Sequence, residues 1–234
     1  MIVVGICALA GSPEDDAPHF ARDAGLALYE ARLKLSQPAP IVALRTSDRE
    51  AALRMLASLR ARGHDAVACD ADAVPPPIAV RDVRELPSEG ILALIRAVRA
   101  IRTETTERFT ERKLRPGMAL ATGGLVMSKK VTREEKRVAH DKEDLLYVFP
   151  RAGGAPWLVS ERGTSYASLE NVAKLQRENF LNVVSALRER APLARYDERM
   201  LALRGIDDPR EIDLRAQLIA ISLSRISETL SGAR

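Results

Sequence analysis

The stretch from Gly25 to Asp70 constrains the fold more than any other part of the chain, because its helices, strands and breaks are clearly marked. Apolar residues at helical spacing predict a helix from Leu26 to Leu35. Its expected apolar side consists of Leu26, Leu28, Ala31, Leu33 and Leu35. Two prolines, Pro38 and Pro40, end this helix. A short apolar run then predicts a strand from Ile41 to Arg45.

The same stretch continues with one more helix and one more strand. Ser47, with Glu50 three residues later, predicts a capping box at the start of the helix, and Gly63 predicts its end. His64 to Cys69 is the predicted strand. Upstream, an apolar first strand from Ile2 to Ala10 is followed by a short helix that starts at Pro18. The predicted order is therefore strand, helix, helix, strand, helix, strand.

This region resembles the C-terminal domain of the bacterial ribosomal stalk protein. The residues that match the family pattern are Gly25, Leu26, Leu28, Glu30, Ala31, Arg32, Pro38, Glu50, Ala51, Leu59 and Gly63. The resemblance implies a bacterial protein with an N-terminal domain of that fold over residues 1–72. In that family, cations on the second helix recruit translation GTPases. Here Tyr29 stands at the first of those positions and Arg32 keeps a cation, so the resemblance implies an interaction face at Tyr29 and Arg32.

The N-degron adaptor of the Clp protease shares this fold and has an acidic loop after the first strand. Asp15, Asp16 and Pro18 are similar to that loop, whereas Glu14 stands where the family has asparagine. No histidine follows on the second helix, where the family has one. The resemblance implies an amine-binding loop in which Asp15 and Asp16 hold the α-amino group of a peptide. The alternative is an acidic loop that only faces water.

Beyond residue 72 the chain is predicted to form a linker, a second domain and a C-terminal extension. Three consecutive prolines predict a stiff linker over 73–77. A second α+β domain is expected over 78–192, and a C-terminal helical extension over 193–234. The extension contains a helix from Arg210 to Ser231, with Asp207 and Asp208 at its N-terminus. Its apolar stripe packs either on the body of the protein or on a second copy, and the latter would give a homodimer.

The second domain is predicted to contain strands, a hairpin turn over 151–154 and a long helix. The predicted strands are 78–86, 118–127, 144–150 and 156–160, and the helix is 168–190. The segment 91–112 fits either a helix or a strand. Several strands followed by one closing helix resemble the layout of a pleckstrin-homology domain, which implies a barrel closed by the helix. The predicted fold class for the whole chain is α+β.

Positive charge is concentrated in one segment. The chain has a net charge of +4, yet residues 91–137 carry +7 and residues 1–90 carry −3. Such a segment predicts a binding surface for nucleic acid, an anionic membrane or an acidic partner, and a solvated face is the alternative. The predicted basic patch consists of Arg108, Arg112, Lys113, Arg115, Lys129, Lys130, Arg133, Lys136 and Arg137.

The sequence excludes several chemistries. It contains no phosphate-binding or dinucleotide-binding glycine motif, and no pair of Cys or Cys/His motifs for zinc. Catalytic residues, a metal and a cofactor are therefore not predicted. Cys7 and Cys69 lie in apolar runs and are expected to be buried free thiols. The N-terminus lacks the basic region of a signal peptide, and no uncharged apolar run approaches the ~18 residues of a membrane span. A cytoplasmic location is expected.

Together these patterns predict a cytoplasmic protein that acts through non-catalytic contacts with a partner protein, as an interaction or adaptor module. One alternative is an enzyme of unrecognised class whose site lies in the second domain. Another is binding of nucleic acid or of an anionic membrane surface through the basic patch over 108–137. A deep pocket lined by buried polar groups would favour the enzyme.

Overall fold

The computed structural model describes residues 1–87, 89–114, 128–203 and 206–231. Within these ranges it does not describe the side chains of 102–105, 107–140 and 226–231. The fold is α+β, as predicted. The chain forms two compact units, one from residues 1–100 with 142–234, and one from residues 101–141. The strand predicted over 118–127 lies outside the described residues.

The N-terminal part of the first unit is a three-stranded antiparallel sheet with helices in its connections. Strand β1 (Ile2–Ala8) is central, with β2 (Ile41–Thr46) and β3 (Asp65–Asp70) on either side. The connections contain α1 (Pro13–Ala24), α2 (Leu28–Leu35) and α3 (Arg49–Ala61). This is the predicted order of strand, helix, helix, strand, helix, strand.

Three helix starts in this part differ from the prediction, and one of them is α2, which begins at Leu28 rather than Leu26. Helix α1 begins at Pro13 rather than Pro18, because the Ser12 side chain accepts a hydrogen bond from Asp15 N at 3.2 Å and Pro13 fits the first helical position. Pro18 then lies inside the helix. Helix α3 is capped by Asp48 rather than Ser47, since the Asp48 carboxylate accepts hydrogen bonds from the backbone N–H groups of the two residues after Arg49.

The three-stranded sheet is buried on both faces. One face of β1 contributes Val4 and Ile6 to a core with helices α1 to α3, which includes Phe20, Met55 and Leu59. Because side chains alternate along a strand, Val3 and Cys7 point to the other face. There they pack in a different core cluster with residues from the end of the chain.

The second sheet has five strands in the order β4, β7, β6, β5, β8. Their bounds are Ile78–Ala79 for β4, Ile91–Leu114 for β5, Ser128–Pro150 for β6, Trp157–Ser160 for β7 and Arg195–Asp197 for β8. Strands β6 and β7 are antiparallel, which confirms the predicted hairpin turn, whereas the short outer strands β4 and β8 run parallel to their neighbours. The described strands form an open sheet, so the predicted pleckstrin-like barrel is wrong for this part of the chain.

Three further predictions for this region are corrected or resolved. The segment 91–112 is strand, within β5. The predicted strand over 78–86 ends after Ala79 and is followed by a short 3₁₀ helix at Val83–Glu85, which Asp82 caps. Helix α4 spans Gln176–Arg190 and begins eight residues after the predicted start. The buried Asn179 side chain bonds both the N–H and the carbonyl of Ala173, and these bonds hold the preceding segment in a loop.

The last helix, α5 (Pro209–Ser231), lies between the two sheets. Leu214 and Leu218 pack with Val3 and Cys7 of the first sheet. On its other side Ile212, Ala216, Ile219, Ala220 and Leu223 pack on the second sheet. Asp208 caps the helix by accepting from Arg210 N at 3.0 Å, close to where the sequence predicted a cap. The chain's own sheets thus cover the described stripe, and a homodimer through α5 would need another surface.

Candidate functional site

Helix α2 exposes three large apolar side chains. Tyr29 is 74% exposed, Leu33 is 55% exposed and Leu28 is 42% exposed. Tyr29 and Leu33 are one helical turn apart, and so are Leu28 and Arg32, which places all four side chains on one side of the helix. We call these four residues, Leu28, Tyr29, Arg32 and Leu33, the α2 face.

The orientation of α2 is fixed by two buried side chains and by hydrogen bonds near its ends. Ala31 and Leu35 are fully buried in the core of the first sheet. At the N-terminus, Glu30 accepts a hydrogen bond from Ala27 N at 3.0 Å, and near the C-terminus Lys34 Nζ donates to the carbonyl of Ala43 at 3.1 Å. Burial lowers the pKa of Lys34, with Arg45 adding to the effect. The α2 face is therefore held on a rigid support.

The structure brings the predicted pair Tyr29 and Arg32 together on this surface. Leu28 and Leu33 were predicted to lie on the apolar, inward side, and that prediction is wrong because the buried positions are Ala31 and Leu35. Among the described residues, Arg32 makes no ion pair. The α2 face is thus an apolar surface with one cation that is available to a partner.

The predicted amine-binding pair, Asp15 and Asp16, is placed in two different environments. Asp15 is exposed and accepts a hydrogen bond from Ser12 Oγ at 2.8 Å. Asp16 is buried, with Oδ1 lying 2.6 Å from Arg62 Nε and 3.0 Å from His64 Nε2. The two carboxylates therefore do not converge on one point, and Asp16 Oδ1 already faces two cationic or donor groups.

His64 is a residue whose role the sequence did not indicate. Its Nδ1 accepts a hydrogen bond from Ala10 N at 3.1 Å, so the ring proton lies on Nε2, which faces Asp16. Arg62 also contacts Asp23, whose pKa lies below its ordinary value: burial alone would raise it, and the hydrogen bonds from Ser58 and Arg62 outweigh burial. This buried network joins the turn after β1 to the turn before β3. Close contacts join its charged groups, yet Asp16 Oδ2 and Arg62 Nη2 are buried without a hydrogen-bond partner among the described residues.

A second buried polar cluster lies in the larger sheet. Glu143 accepts hydrogen bonds from Ser160 Oγ and from Arg99, and Ser160 Oγ in turn accepts from Gly163 N at 2.9 Å. Burial would raise the pKa of Glu143, but the bonds from Ser160 and Arg99 hold that pKa below its ordinary value. These contacts join three strands, since Arg99 belongs to β5, Glu143 to β6 and Ser160 to β7.

The neighbouring Asp144 points to the opposite face of the sheet. Its Oδ1 lies 3.2 Å from Arg96, and Arg96 also contacts Glu198 at 3.2 Å and lies over the ring of Phe180. Two cavities near this sheet are lined mainly by residues of α4 and of the segments that pack on it, and their linings do not include Glu143 or Asp144.

The basic patch falls on the second unit. Arg108, Arg112 and Lys113 belong to β5, and Lys129, Lys130, Arg133, Lys136 and Arg137 belong to β6. These two strands are neighbours in the sheet. The side chains of all these residues, and Arg115 altogether, lie outside the described part of the structure. Binding of nucleic acid or a membrane surface through this patch stays a prediction.

The described residues contain neither a metal-binding cluster nor a membrane-spanning helix. Within that part of the chain, no group of three or more His, Cys, Asp or Glu side chains is placed to hold a metal ion. In the same residues, no helix has the length and apolar character required to cross a membrane. Comparison with protein-family models, with curated proteins and with solved structures finds no match for this chain.

Proposed function

We propose that the protein is a non-catalytic interaction module that binds a partner protein through the α2 face. The observation that carries this proposal is the exposure of Tyr29 and Leu33 on a helix whose opposite side is locked into a core. Exposed aromatic and aliphatic side chains next to an arginine are typical of the residues that dominate binding energy at interfaces.

The occupant of this surface is a partner that presents an apolar patch beside a carboxylate. Charge complementarity supports this choice, since Arg32 lies on the same side of the helix as Leu28, Tyr29 and Leu33 and makes no ion pair with a described residue. A guanidinium binds a carboxylate through two parallel hydrogen bonds, which fixes the register of the apolar contact. A cytoplasmic location remains part of this proposal, supported by the free thiols of Cys7 and Cys69.

The proposal is tested by replacing Tyr29 with a photo-crosslinking amino acid in the full chain, expressed in its native host. We expect one partner to be cross-linked and its complex to re-form from the two purified proteins. The double variant Tyr29→Ala/Leu33→Ala should weaken that complex at least about tenfold, because truncated anchor residues commonly cost more than 1.4 kcal/mol. Arg32→Glu should weaken it as well.

The control is Leu193→Ala, since Leu193 is 83% exposed but lies far along the chain in the loop after α4. This variant should bind the partner like the unmodified protein. The proposal fails if no specific partner is cross-linked, or if the purified complex has the same dissociation constant with the double variant. Circular dichroism of each variant establishes that the fold is retained.

A further inference from the structure

A small apolar groove lies beside α4, in a part of the fold remote in sequence from α2. It encloses about 160 Å³. Its apolar lining comes from α4, from the 3₁₀ helix and the residue that follows it, and from the loop before α4; these residues are Val83, Leu86, Leu169, Val183, Ala186 and Leu187. Pockets for whole small ligands usually measure about 300 to 1,000 Å³. The groove therefore has room for one large side chain rather than for a metabolite.

Two arginines, Arg84 and Arg190, line the same groove. The Arg84 side chain is 77% exposed, and its contact with Asp82 at 3.4 Å is a loose one. The Asp82 carboxylate is already bound by Ser168 Oγ at 2.7 Å and by Arg84 N at 2.9 Å. Arg190 is the last residue of α4, is exposed, and has no ion pair among the described residues. The groove is thus apolar inside and positive at its rim.

We propose that this groove is a second docking site, which anchors one large apolar side chain of an acidic peptide segment in a partner protein. The apolar side chain fills the space between Val83, Leu86 and Leu187. Carboxylates on either side of it bind Arg84 and Arg190, whose forked guanidinium groups match carboxylate geometry. Burial of the anchor supplies the binding energy, and the charge pairs select acidic segments over neutral ones. This site is independent of the α2 face.

The test uses the full-length protein and five fluorescein-labelled peptides. Each peptide places two acidic residues on each side of a single anchor, which is Leu, Ile, Met, Phe or Trp. Fluorescence anisotropy should show saturable binding for at least one of them. Binding should weaken with added salt, and it should be lost when the anchor is replaced by Ala or the acidic residues by Lys.

Two variants assign the binding to the groove. Arg84→Glu/Arg190→Glu reverses both rim charges and should weaken binding at least about tenfold. Ala186→Trp fills the groove and should abolish binding. The matched controls are Arg81→Glu/Arg188→Glu and Ser185→Trp, which make the same changes at exposed positions outside the groove. These controls should bind the peptide within about twofold of the unmodified protein.

Several outcomes would overturn the inference. One is the absence of saturable binding for all five peptides. Another is an equal loss of affinity in Arg84→Glu/Arg190→Glu and in its control, which would indicate a diffuse electrostatic effect. Binding that survives Ala186→Trp would place the peptide elsewhere. Binding of anionic phospholipid vesicles through Arg84 and Arg190, with no peptide binding, would likewise refute a peptide site. Thermal unfolding of each variant confirms that the fold is intact.

Discussion

Replacement of Gly5 by alanine tests whether α5 and the first sheet form one packed core. Gly5 lies in the middle of the central strand β1, where the strand contacts Leu218 of α5. A β-carbon added at Gly5 would lie 2.6 Å from Leu218 Cδ1 and 3.3 Å from Leu218 Cγ. Carbon atoms in contact are normally about 3.5 to 4.0 Å apart. The added methyl group therefore overlaps with Leu218, including its branch point.

Leu218 has no open space to move into, because its side chain is fully buried between the two sheets. Over-packing of such a site costs about 1 to 3 kcal/mol. Alanine recovers roughly 0.5 to 1 kcal/mol of this, since glycine loses more conformational freedom in a strand. We expect Gly5→Ala to lower the free energy of unfolding by about 1 to 2 kcal/mol. For a chain of this size that corresponds to a melting temperature lower by roughly 2 to 8 °C.

The measurement is urea denaturation followed by far-ultraviolet circular dichroism, on the single variants Gly5→Ala and Leu218→Ala and on the double variant. Leu218→Ala alone should cost roughly 2 to 5 kcal/mol, because it leaves a cavity. In that background Gly5→Ala should cost almost nothing, so the two effects should be strongly non-additive. Gly11→Ala is the control, because a β-carbon there meets no atom within 4 Å. An equal cost of Gly5→Ala in both backgrounds would refute the reasoning.

Three further substitutions follow from the buried polar contacts. Arg215 donates hydrogen bonds to the carbonyl of Pro40, at 2.7 Å, and to Glu211. Arg215→Met removes this donor and should destabilise the protein by about 1 to 3 kcal/mol in urea denaturation. The control is Arg54→Met at an exposed position, which should change stability by less than about 0.5 kcal/mol. Glu143→Gln should be destabilising at neutral pH. The hydrogen bonds and ion pair of Glu143 hold its pKa in the folded protein below the ordinary value of 4.5. The ionised carboxylate therefore stabilises the folded protein above that pH, and this contribution is lost as the pH falls. The difference in stability between Glu143→Gln and the unmodified protein should accordingly shrink in acid. Asp213→Asn should show the opposite trend. Burial raises the pKa of Asp213, so ionisation of this carboxyl destabilises the folded protein as the pH rises. The variant, whose Asn can still accept the hydrogen bond from Tyr147, should therefore become more stable relative to the unmodified protein toward neutral pH. Both pH trends are tested by urea midpoints measured from about pH 3 to pH 7. If the stability of either variant differs from that of the unmodified protein by the same amount at every pH, the pKa shift assigned to that residue is contradicted.

The first six elements were predictable because their boundaries are set by neighbouring residues. Pro38, Gly25 and Gly63 end or redirect the chain wherever they stand, and the structure has Gly25 and Gly63 in the left-handed conformation that favours glycine. The errors are local as well. Asp48 and Ser47 are adjacent capping residues that sequence alone does not rank, and Ser12 before Pro13 starts α1 five residues ahead of the predicted start at Pro18.

The α2 face was only half predictable, because helical spacing shows that a stripe exists but not which side the rest of the fold covers. Leu28 and Leu33 fit the apolar stripe as well as Ala31 and Leu35 do. The small Ala31 lets α2 approach the core closely, and α1 and β2 then cover that side. The pair Tyr29 and Leu33 at i and i+4 was the one available sign of a second, exposed stripe.

The second region was less predictable because its structure depends on contacts distant in sequence. The apolar residues of the run Ile91–Arg102 fit both the spacing of a helix and that of a strand. The run becomes a strand because β6 and β8 pair with it. The start of α4 depends on two hydrogen bonds between the Asn179 side chain and the backbone of Ala173, which helix propensities do not predict. The groove beside α4 combines residues from Val83 to Arg190, so no local motif describes it.

In the first sheet, cationic side chains already bind one backbone carbonyl on each outer strand, which favours the helix surface as the binding site. Its two faces are covered by α1 to α3 and by α5. On its outer strands, Lys34 Nζ donates to the carbonyl of Ala43 in β2, and Arg60 and Arg225 both donate to the carbonyl of Ala66 in β3, at 3.0 to 3.1 Å. A peptide that joins a sheet edge needs such carbonyls as acceptors, and cationic side chains here already bind them. Under the proposed function, the partner contacts side chains on the helices instead, and Tyr29 and Leu33 are the most exposed apolar groups of α2.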